Sequence, residues 1–436
     1  MNLSRAAPLD VIGVGFGPSN LALAIALEEL AGKRGRHLDT LFLERQADYH
    51  WHGDTLVAHS EMQISFLKDL VSLRDPTSFY SFVNYLHRHD RLVDFINLGT
   101  FYPCRMEYND YLRWVASHFT HQCHHGEEVT AVEPVLEGRR IELLKVRSRD
   151  AQGFEQVRST RSVVVSTGGT PHIPAVFAPL AREPRLFHHA HYLKRMRHLP
   201  AGAGKPLRVA VVGGGQSAAE AFIDLNDSHP QARVDLILRT AALKPADDSP
   251  FVNDIFSPAC TDLVFNQPEA ARERLIREYR NTNYSVVDLD LIERIYAILY
   301  RQKVSGSRRH RLLGQRTIEA CAAEAEAVAL TLADHTTGDV ATHRYDLVIL
   351  ATGYERTSHH RLLTPLAEYL GDFGVDRFYR LRADERLQAP VFVQGFCQAS
   401  HGLSDTLLSV LPIRALEVAT ALYERAAAPC TVDSYA

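Results

Sequence analysis

Short apolar runs that end in glycine turns recur along the chain and predict a parallel α/β fold. The first run begins at Val11, enters a turn rich in glycine, and is followed by the apolar residues 21–27 of a predicted helix. A second strand is predicted over 41–44, so one strand–turn–helix–strand unit covers residues 10–45. Apolar runs of this length next to a helical pattern are typical of buried strands in a parallel sheet.

A second unit of the same kind is predicted in the middle of the chain. Residues 208–212 form its first strand, glycines 213–215 its turn, and residues 234–238 its next strand. Further buried strands are predicted at 163–165 and 345–350, and both runs end in glycines. Two dinucleotide-binding units of the Rossmann type are therefore expected in one chain.

Other segments show helical or alternating patterns. Helices are predicted over 76–97, 106–118, 268–280, 286–300 and 413–425, with a further helix start near 402–405. Strand-like alternation covers 128–149, interrupted at 137–138, and 316–345. The helices between 246 and 310 predict a small helical insert beside the two units.

The first glycine turn is a partial match to G-x-G-x-x-G. Gly13 and Gly15 occupy the first two glycine positions, and Pro18 takes the third. Glu44 ends the next strand 31 residues after Gly13, beyond the usual spacing of about 20. A carboxylate there accepts hydrogen bonds from both ribose hydroxyls of an adenosine, so this unit suits FAD or NAD.

The second glycine turn has the opposite charge at the ribose position. Gly213, Gly215 and Ala218 fit G-x-G-x-x-A, and Arg239 stands where the first unit has Glu44. A guanidinium binds a phosphate that a carboxylate would repel, so this unit is expected to prefer NADPH to NADH.

Composition narrows the functional classes. The 436 residues allow two or three domains, and a net charge of −4 gives no reason to expect nucleic acid or an anionic membrane. No apolar run of about 18 residues predicts a membrane span, and no secretory signal is found. None of the six cysteines has C-x-x-C spacing, which argues against a zinc ribbon or a redox pair and favours a reducing cytoplasm.

One compact group resembles a metal-ligand set. It contains His118, His121, Cys123, His124 and His125. Because it follows a predicted helix end, a solvated surface is the simpler interpretation, and no metal site is predicted.

The chain resembles the flavin-dependent side-chain N-hydroxylases of siderophore biosynthesis, from Asp10 to about Glu417. In this family Pro18 is the normal residue of the first turn. The matching stretches are 13–20, 63–73, 101–106, 213–224, 247–254, 281–288, 350–355 and 401–412.

The resemblance implies an FAD domain at 1–170 and 346–436, an NADPH domain at 171–245 and 316–345, and a helical substrate domain at 246–315. FAD contacts would be Gly13, Gly15, Gly17, Pro18, Ser19, Glu44, Arg45, Tyr49, Trp51, His52, Gln63, Val129, Thr406, Leu407 and Leu408. NADPH contacts would be Gly214, Gly215, Gln216, Ser217, Arg239, Asn283, Tyr284 and Ser285. Substrate contacts would be Lys68, Asn253, Asp254, Ile255, Phe256, Asn283 and Ser409, with Asn283 and Lys68 central to catalysis.

The implied reaction is hydroxylation of the side-chain amine of ornithine by NADPH and oxygen through a flavin hydroperoxide. Lys68 suits a substrate α-carboxylate, although lysine or a diamine stays an alternative substrate. A disulfide reductase lacks its cysteine pair here, and the F-x-G-x-x-x-H signature of Baeyer–Villiger or S-oxygenases is not intact around 187–189. A nucleotide-sensing protein is a further alternative, and a homo-oligomer is left open.

Overall fold

The computed structural model describes residues 7–136, 138–198 and 206–427. Its strands are β1 (Val11–Val14), β2 (Thr40–Glu44), β3 (Cys123–His125), β4 (Glu127–Pro134), β5 (Leu144–Asp150), β6 (Glu155–Thr160), β7 (Val163–Val165), β8 (Thr170–Pro171), β9 (Leu186–His188), β10 (Arg208–Val212), β11 (Arg233–Ile237), β12 (Arg311–Leu313), β13 (Arg316–Ala323), β14 (Val328–Asp334), β15 (Val340–Tyr345), β16 (Leu347–Leu350), β17 (Tyr354–Glu355) and β18 (Val391–Val393).

The α-helices are α1 (Pro18–Arg34), α2 (Phe82–Arg88), α3 (Leu92–Leu98), α4 (Arg105–Ser117), α5 (Tyr192–Arg197), α6 (Gln216–Ser228), α7 (Pro250–Asp254), α8 (Cys260–Phe265), α9 (Glu269–Tyr279), α10 (Leu289–Ser305), α11 (Ser358–Leu362), α12 (Ala367–Leu370), α13 (Gln398–His401) and α14 (Leu411–Ala427). None of the helices in the described part of the chain has the length and apolar character needed to cross a membrane.

The first unit is a parallel sheet that uses both ends of the chain. Its strand order is β18–β7–β1–β2–β3, and all four pairings are parallel. α1 packs against α14, where the Tyr423 hydroxyl donates to the carbonyl of Leu27 at 3.2 Å. Because β1 and β2 are parallel neighbours, their carboxyl ends lie side by side where α1 begins.

The second unit is a separate parallel sheet in the order β12–β11–β10–β16–β9. α6 follows β10, and α10 packs against α6. Two antiparallel sheets, β4–β5–β6 and β13–β14–β15, flank the units, and the short ribbon β8–β17 joins the connecting segments between them. The predicted α/β class with two Rossmann-like units is confirmed, while the predicted domain boundaries stay predictions.

Three predicted helix boundaries are wrong. The helix expected over 76–97 is two helices, α2 and α3, because Ser81 caps α2 and Asp90, at φ +57°, reverses the chain after it. α10 begins at Leu289 rather than 286, since Val287 instead pairs with the extended chain at Pro245. The expected helix start near 402–405 consists of two 3₁₀ turns, Leu403–Thr406 and Leu408–Val410, ahead of α14.

The group of histidines around Cys123 is largely solvated, as expected. His118, His121 and His124 are exposed and His125 is half-buried, whereas Cys123 is buried in β3. Across the described residues, no three His, Cys, Asp or Glu side chains are arranged to hold a metal ion. Glu137, Cys430 and residues 202–205, which precede the second predicted unit, lie outside the described residues.

Candidate cofactor and substrate site

The first glycine turn is closed on one side and open on the other. A Cβ at Gly13 would lie 2.2 Å from Cδ1 of Phe42, and one at Gly15 would lie 2.7 Å from the Ser166 carbonyl oxygen. A Cβ at Gly17, in contrast, would meet no atom within 4 Å. The first two glycines are required by internal packing, and Gly17 leaves room for a ligand at the start of α1.

Pro18 is explained by the start of the helix. Gly17 is the N-cap of α1, and Pro18 takes the first helical turn, where its missing N–H costs no hydrogen bond. The first turn of α1 contains no acidic residue. The amino end of α1 is therefore suited to a negatively charged pyrophosphate.

A buried ion pair holds Ser19 in this turn. The Arg414 guanidinium donates to the Asp405 carboxylate at 2.9 Å, to the Asp405 carbonyl at 2.6 Å and to the Ser19 hydroxyl at 2.9 Å. The two charged side chains are 1% and 0% exposed. Neither Asp405 nor Arg414 was predicted as a site residue, because no local pattern connects positions so far apart.

Glu44 lies beside the same turn. Its carboxylate accepts hydrogen bonds from the backbone N–H of Phe16 at 2.7 Å and of Gln46 at 2.9 Å, and the residue is buried. These bonds fix the carboxylate at the carboxyl end of β2 and leave it lone pairs for ribose hydroxyls. The adenosine-binding role of Glu44 stays a prediction.

The aromatic segment after β2 combines buried and exposed side chains. The buried Tyr49 hydroxyl has no hydrogen-bond partner among the described residues, and the backbone N–H of Trp51 donates to the Asn109 side-chain oxygen at 2.7 Å. His52 adopts φ +54°. Burial, followed by the positive charges of Arg105 and Arg356, lowers the pKa of His52 to about 4. The residue is exposed to solvent, although neighbouring protein atoms surround it closely enough to lower this pKa.

The second glycine turn is closed at Gly213, where a Cβ would lie 2.3 Å from the Ala351 carbonyl oxygen, and open at the next two positions. A Cβ at Gly214 would meet nothing closer than Cδ2 of Leu238 at 3.5 Å, and one at Gly215 nothing closer than Cα of Ser285 at 3.5 Å. Arg239 lies just beyond β11, is exposed, and makes no side-chain hydrogen bond or ion pair to the described residues. A free guanidinium beside this turn fits a 2′-phosphate.

The helical insert contacts the first unit at several points, and two of them involve residues predicted to bind FAD or substrate. The Tyr284 hydroxyl contacts the Thr406 hydroxyl and donates to the Leu403 carbonyl at 3.2 Å. The buried Ser409 hydroxyl donates to the Phe256 carbonyl at 3.0 Å. The predicted substrate and FAD segments are thus in direct contact.

Lys68 and Asn283 have side chains that the protein leaves free. Both residues are half-buried, and neither side chain hydrogen-bonds to another described residue. Burial lowers the pKa of Lys68, because no carboxylate forms an ion pair with it in the described chain. Asn253 differs, since its amide donates to the Asp248 carbonyl at 2.7 Å.

Gln63 and Gln216 are brought together by a residue that the sequence did not single out. The Asp288 carboxylate accepts from both amides at 2.8 Å. The Gln216 side chain is occupied by this contact and by Glu220 at 3.0 Å, so its N–H at the helix start is the group left for a cofactor.

The remaining predicted residues have diverse surroundings. Ser217, Ile255, Leu407 and Leu408 are half-buried, Arg45, Asp254 and Ser285 are exposed, and Val129 is buried in β4.

Arg356, which acts on the His52 pKa, was missed by the sequence analysis although it directly follows the matching stretch 350–355.

The chain contains two parallel sheets, each with a glycine turn that opens a helix, and a helical insert that contacts the 3₁₀ turns of the first unit. This arrangement defines an α/β oxidoreductase with two dinucleotide-binding units. A family model described as L-lysine 6-monooxygenase/L-ornithine 5-monooxygenase matches residues 7–356. The chain is 63% identical to the L-ornithine N(5)-monooxygenase of Pseudomonas aeruginosa, over 95% of this chain and 94% of the relative.

Solved structures agree with this similarity. The ornithine hydroxylase PvdA from Pseudomonas aeruginosa matches with a TM-score of 0.93 and 61% identity, over 96% of this chain and 100% of that one. The Kutzneria sp. 744 ornithine N-hydroxylase KtzI, in a structure with FADred, NADP+ and L-orn, matches with a TM-score of 0.90 and 35% identity, over 96% and 100%. The chain therefore belongs to the L-lysine 6-monooxygenase/L-ornithine 5-monooxygenase family.

Proposed function

We propose that this protein hydroxylates the side-chain amine of L-ornithine with NADPH and molecular oxygen, holding FAD, as a step of siderophore hydroxamate biosynthesis. The observation that carries the proposal is the contact of the helical insert with the 3₁₀ turns 403–410 of the FAD-type unit, through Tyr284 with Thr406 and through Phe256 with Ser409. The segments expected to contact the substrate and FAD therefore lie side by side.

The residues present fit both cofactors. Gly17 leaves open space at an amino helix end without acidic residues, and Glu44 offers a fixed carboxylate for the ribose of FAD. Arg239 offers a free guanidinium for the 2′-phosphate of NADPH. When bound, FAD supplies hydride acceptance from NADPH and activation of oxygen for transfer of one oxygen atom.

The protein would position and desolvate the substrate. The Lys68 ammonium would pair with the α-carboxylate, which compensates the burial that lowers its own pKa. Asn283 would hydrogen-bond the substrate through an amide that no described residue occupies. An amine with a pKa of about 10.4 must lose a proton before it attacks oxygen, and a desolvated pocket favours its neutral form. Overall, amine, O₂, NADPH and a proton give hydroxylamine, water and NADP⁺.

We propose ornithine rather than lysine or a diamine as the substrate for two reasons. The relative at 63% identity is an ornithine enzyme, and a free Lys68 suits a substrate with a carboxylate.

The described cysteines 104, 123, 260, 321 and 397 are free thiols, which supports a reducing, cytoplasmic location.

The test is turnover of FAD-loaded protein with ornithine, lysine and putrescine under ¹⁸O₂. We expect NADPH oxidation that rises with ornithine and a hydroxylated product that carries one ¹⁸O atom. A product with oxygen from water, or no hydroxylated product from any amine, would refute the proposal. Faster product formation from lysine or putrescine would refute the choice of substrate alone.

A further inference from the structure

A chain of amide and carboxylate groups crosses the seam between the two dinucleotide-binding units, and Asp288 is its centre. The Asp288 Oδ1 atom accepts from the Gln63 amide, and Oδ2 accepts from the Gln216 amide, both at 2.8 Å. The Asp288 backbone N–H donates to the Gln216 side-chain oxygen at 3.0 Å. One residue of the insert therefore holds side chains from both units.

Asp288 occupies a helix N-cap position without using its side chain as a cap. It precedes α10, but its carboxylate accepts no hydrogen bond from the first turn of that helix. An aspartate at this position normally accepts such a bond, which stabilises the helix by about 1 kcal/mol. The carboxylate is directed across the seam instead, so helix capping does not explain it.

The two glutamines lie at the predicted binding sites of the two cofactors, Gln216 at that of NADPH and Gln63 at that of FAD. Gln216 is the first residue of α6, directly after the second glycine turn. Gln63 lies on a segment fixed to the chain before α4, because the Met62 N–H donates to the Pro103 carbonyl at 2.9 Å. The hydrogen bonds of Asp288 therefore connect the NADPH-type turn with the FAD-type unit.

A second contact crosses the same seam. Arg105 donates to both oxygens of the buried Glu220 carboxylate, at 3.0 and 2.9 Å, and Gln216 donates to Glu220 at 3.0 Å. Loss of Asp288 alone therefore loosens the seam without separating the units.

We infer that Asp288 is a positioning residue that sets the distance between the NADPH turn and the flavin site, and so the rate of hydride transfer. The inference rests on the proposed function, and Asp288 acts through Gln63 and Gln216 rather than on the reacting atoms. Displacement of reacting groups by about 1 Å can slow a reaction about 10²-fold. Asp288→Ala should therefore slow flavin reduction about 10- to 100-fold.

The experiment is anaerobic stopped-flow mixing of FAD-loaded protein with saturating NADPH, followed by the loss of oxidised-flavin absorbance. Asp290→Ala is the matched control, because Asp290 is exposed in the first turn of the same helix and makes no bridge across the seam. We expect wild-type reduction in Asp290→Ala. Asp288→Ala should keep wild-type FAD content and a wild-type rate of oxygen reaction after dithionite reduction.

Each outcome decides a separate question. A wild-type reduction rate in Asp288→Ala overturns the inference alone, and parallel loss of FAD and thermal stability shows a structural role instead. If Asp288→Ala does not fold, Asp288→Asn provides the test. Its side-chain amide keeps one of the two hydrogen bonds to the glutamines and should slow flavin reduction by a smaller factor. An unchanged reduction rate in Asp288→Asn would then overturn the inference. Failure of NADPH to reduce the wild-type flavin would overturn the proposed function and this inference with it.

Discussion

The buried pair between Asp405 and Arg414 gives the sharpest test of how the FAD side is held together. It joins the 3₁₀ turn Leu403–Thr406 to α14 and, through Arg414, to the Ser19 hydroxyl at the start of α1. The second Asp405 oxygen accepts from the Cys397 N–H at 2.7 Å. Both charges are removed from water, so each depends on the other.

Replacing one partner should destabilise the protein strongly. Asp405→Asn leaves a buried guanidinium without its counter-charge, which costs about 3–5 kcal/mol. An unfolding entropy of about 2.1 cal/mol/K per residue gives roughly 0.9 kcal/mol/K for 436 residues, so Tm should fall by about 3–6 °C. Arg414→Met should lower Tm similarly and also weaken FAD binding, because Ser19 loses its donor.

The double variant separates pairing from packing. Asp405→Asn combined with Arg414→Met leaves no unpaired charge, so its loss should be smaller than the sum of the single losses by about 2 kcal/mol or more. The control is Asp384→Asn, which breaks the pair with Arg386 at 2.9 Å, where the side chains are 37% and 51% exposed. A surface pair contributes at most about 1 kcal/mol.

The assay is thermal unfolding of FAD-loaded protein, with FAD affinity measured by fluorescence titration of the apoprotein. If Asp405→Asn lowers Tm no more than Asp384→Asn does, the reasoning about desolvated charge is refuted. Additive single and double losses would refute the claim that the two side chains act as a pair.

Three further predictions follow from the site and from burial. Lys68→Ala should raise the KM for ornithine at least about tenfold at unchanged FAD content, since a charged hydrogen bond contributes about 1.5–3 kcal/mol; loss of FAD would indicate a structural lysine. Arg239→Ala should weaken NADPH binding at least about tenfold and NADH binding little; equal losses, measured by titration, would contradict a 2′-phosphate contact. Burial lowers the pKa of each of His188, His310 and His401 to about 4. As the pH falls, these histidines take up protons in the unfolded chain before they do so in the folded protein. The free energy of unfolding should therefore be constant above pH 6.5 and fall towards pH 4, by on the order of 1–2 kcal/mol per histidine at pH 5. Equal free energies of unfolding at pH 7.5 and pH 5, measured by denaturant titration, would contradict this prediction.

The two dinucleotide units were predictable because their signals are local. The apolar run of β1, the glycine turn and α1 follow one another directly, and the same order recurs from β10 to α6. Packing inside each unit requires the first glycine of its turn, because a Cβ at Gly13 would collide with Phe42 and a Cβ at Gly213 would collide with the Ala351 carbonyl oxygen.

The error over 76–97 has a tertiary cause. The buried Asp69 carboxylate accepts from the backbone N–H of Phe82 at 2.7 Å, Val71 at 2.9 Å and Ser72 at 2.6 Å. These bonds hold the chain before Phe82 in a loop and set the start of α2 there. Helical spacing of apolar residues cannot reveal that an aspartate outside the window satisfies the backbone groups.

The site was only partly predictable, because its supports join distant positions. Gln394 donates to Asn20 at 3.1 Å across 374 residues, and Tyr284 reaches Thr406 across 122. No spacing rule pairs such residues, so sequence analysis named Tyr284 and Thr406 only through family resemblance. It missed Asn20, Gln394 and Asp288.

The ion pair between Asp405 and Arg414 and the hydrogen bonds of Asp288 differ in kind, so the loss of each should have a different effect on the protein. The first turn is held by a fully desolvated ion pair, whose loss leaves an unpaired charge in a rigid core. The seam to the second turn is held at Asp288 by amide–carboxylate bonds of a half-buried residue, whose groups can bond to water when the bridge is lost. Because water compensates the second loss and not the first, Asp405 variants should lose stability and FAD, whereas Asp288 variants should lose hydride-transfer rate at nearly constant stability.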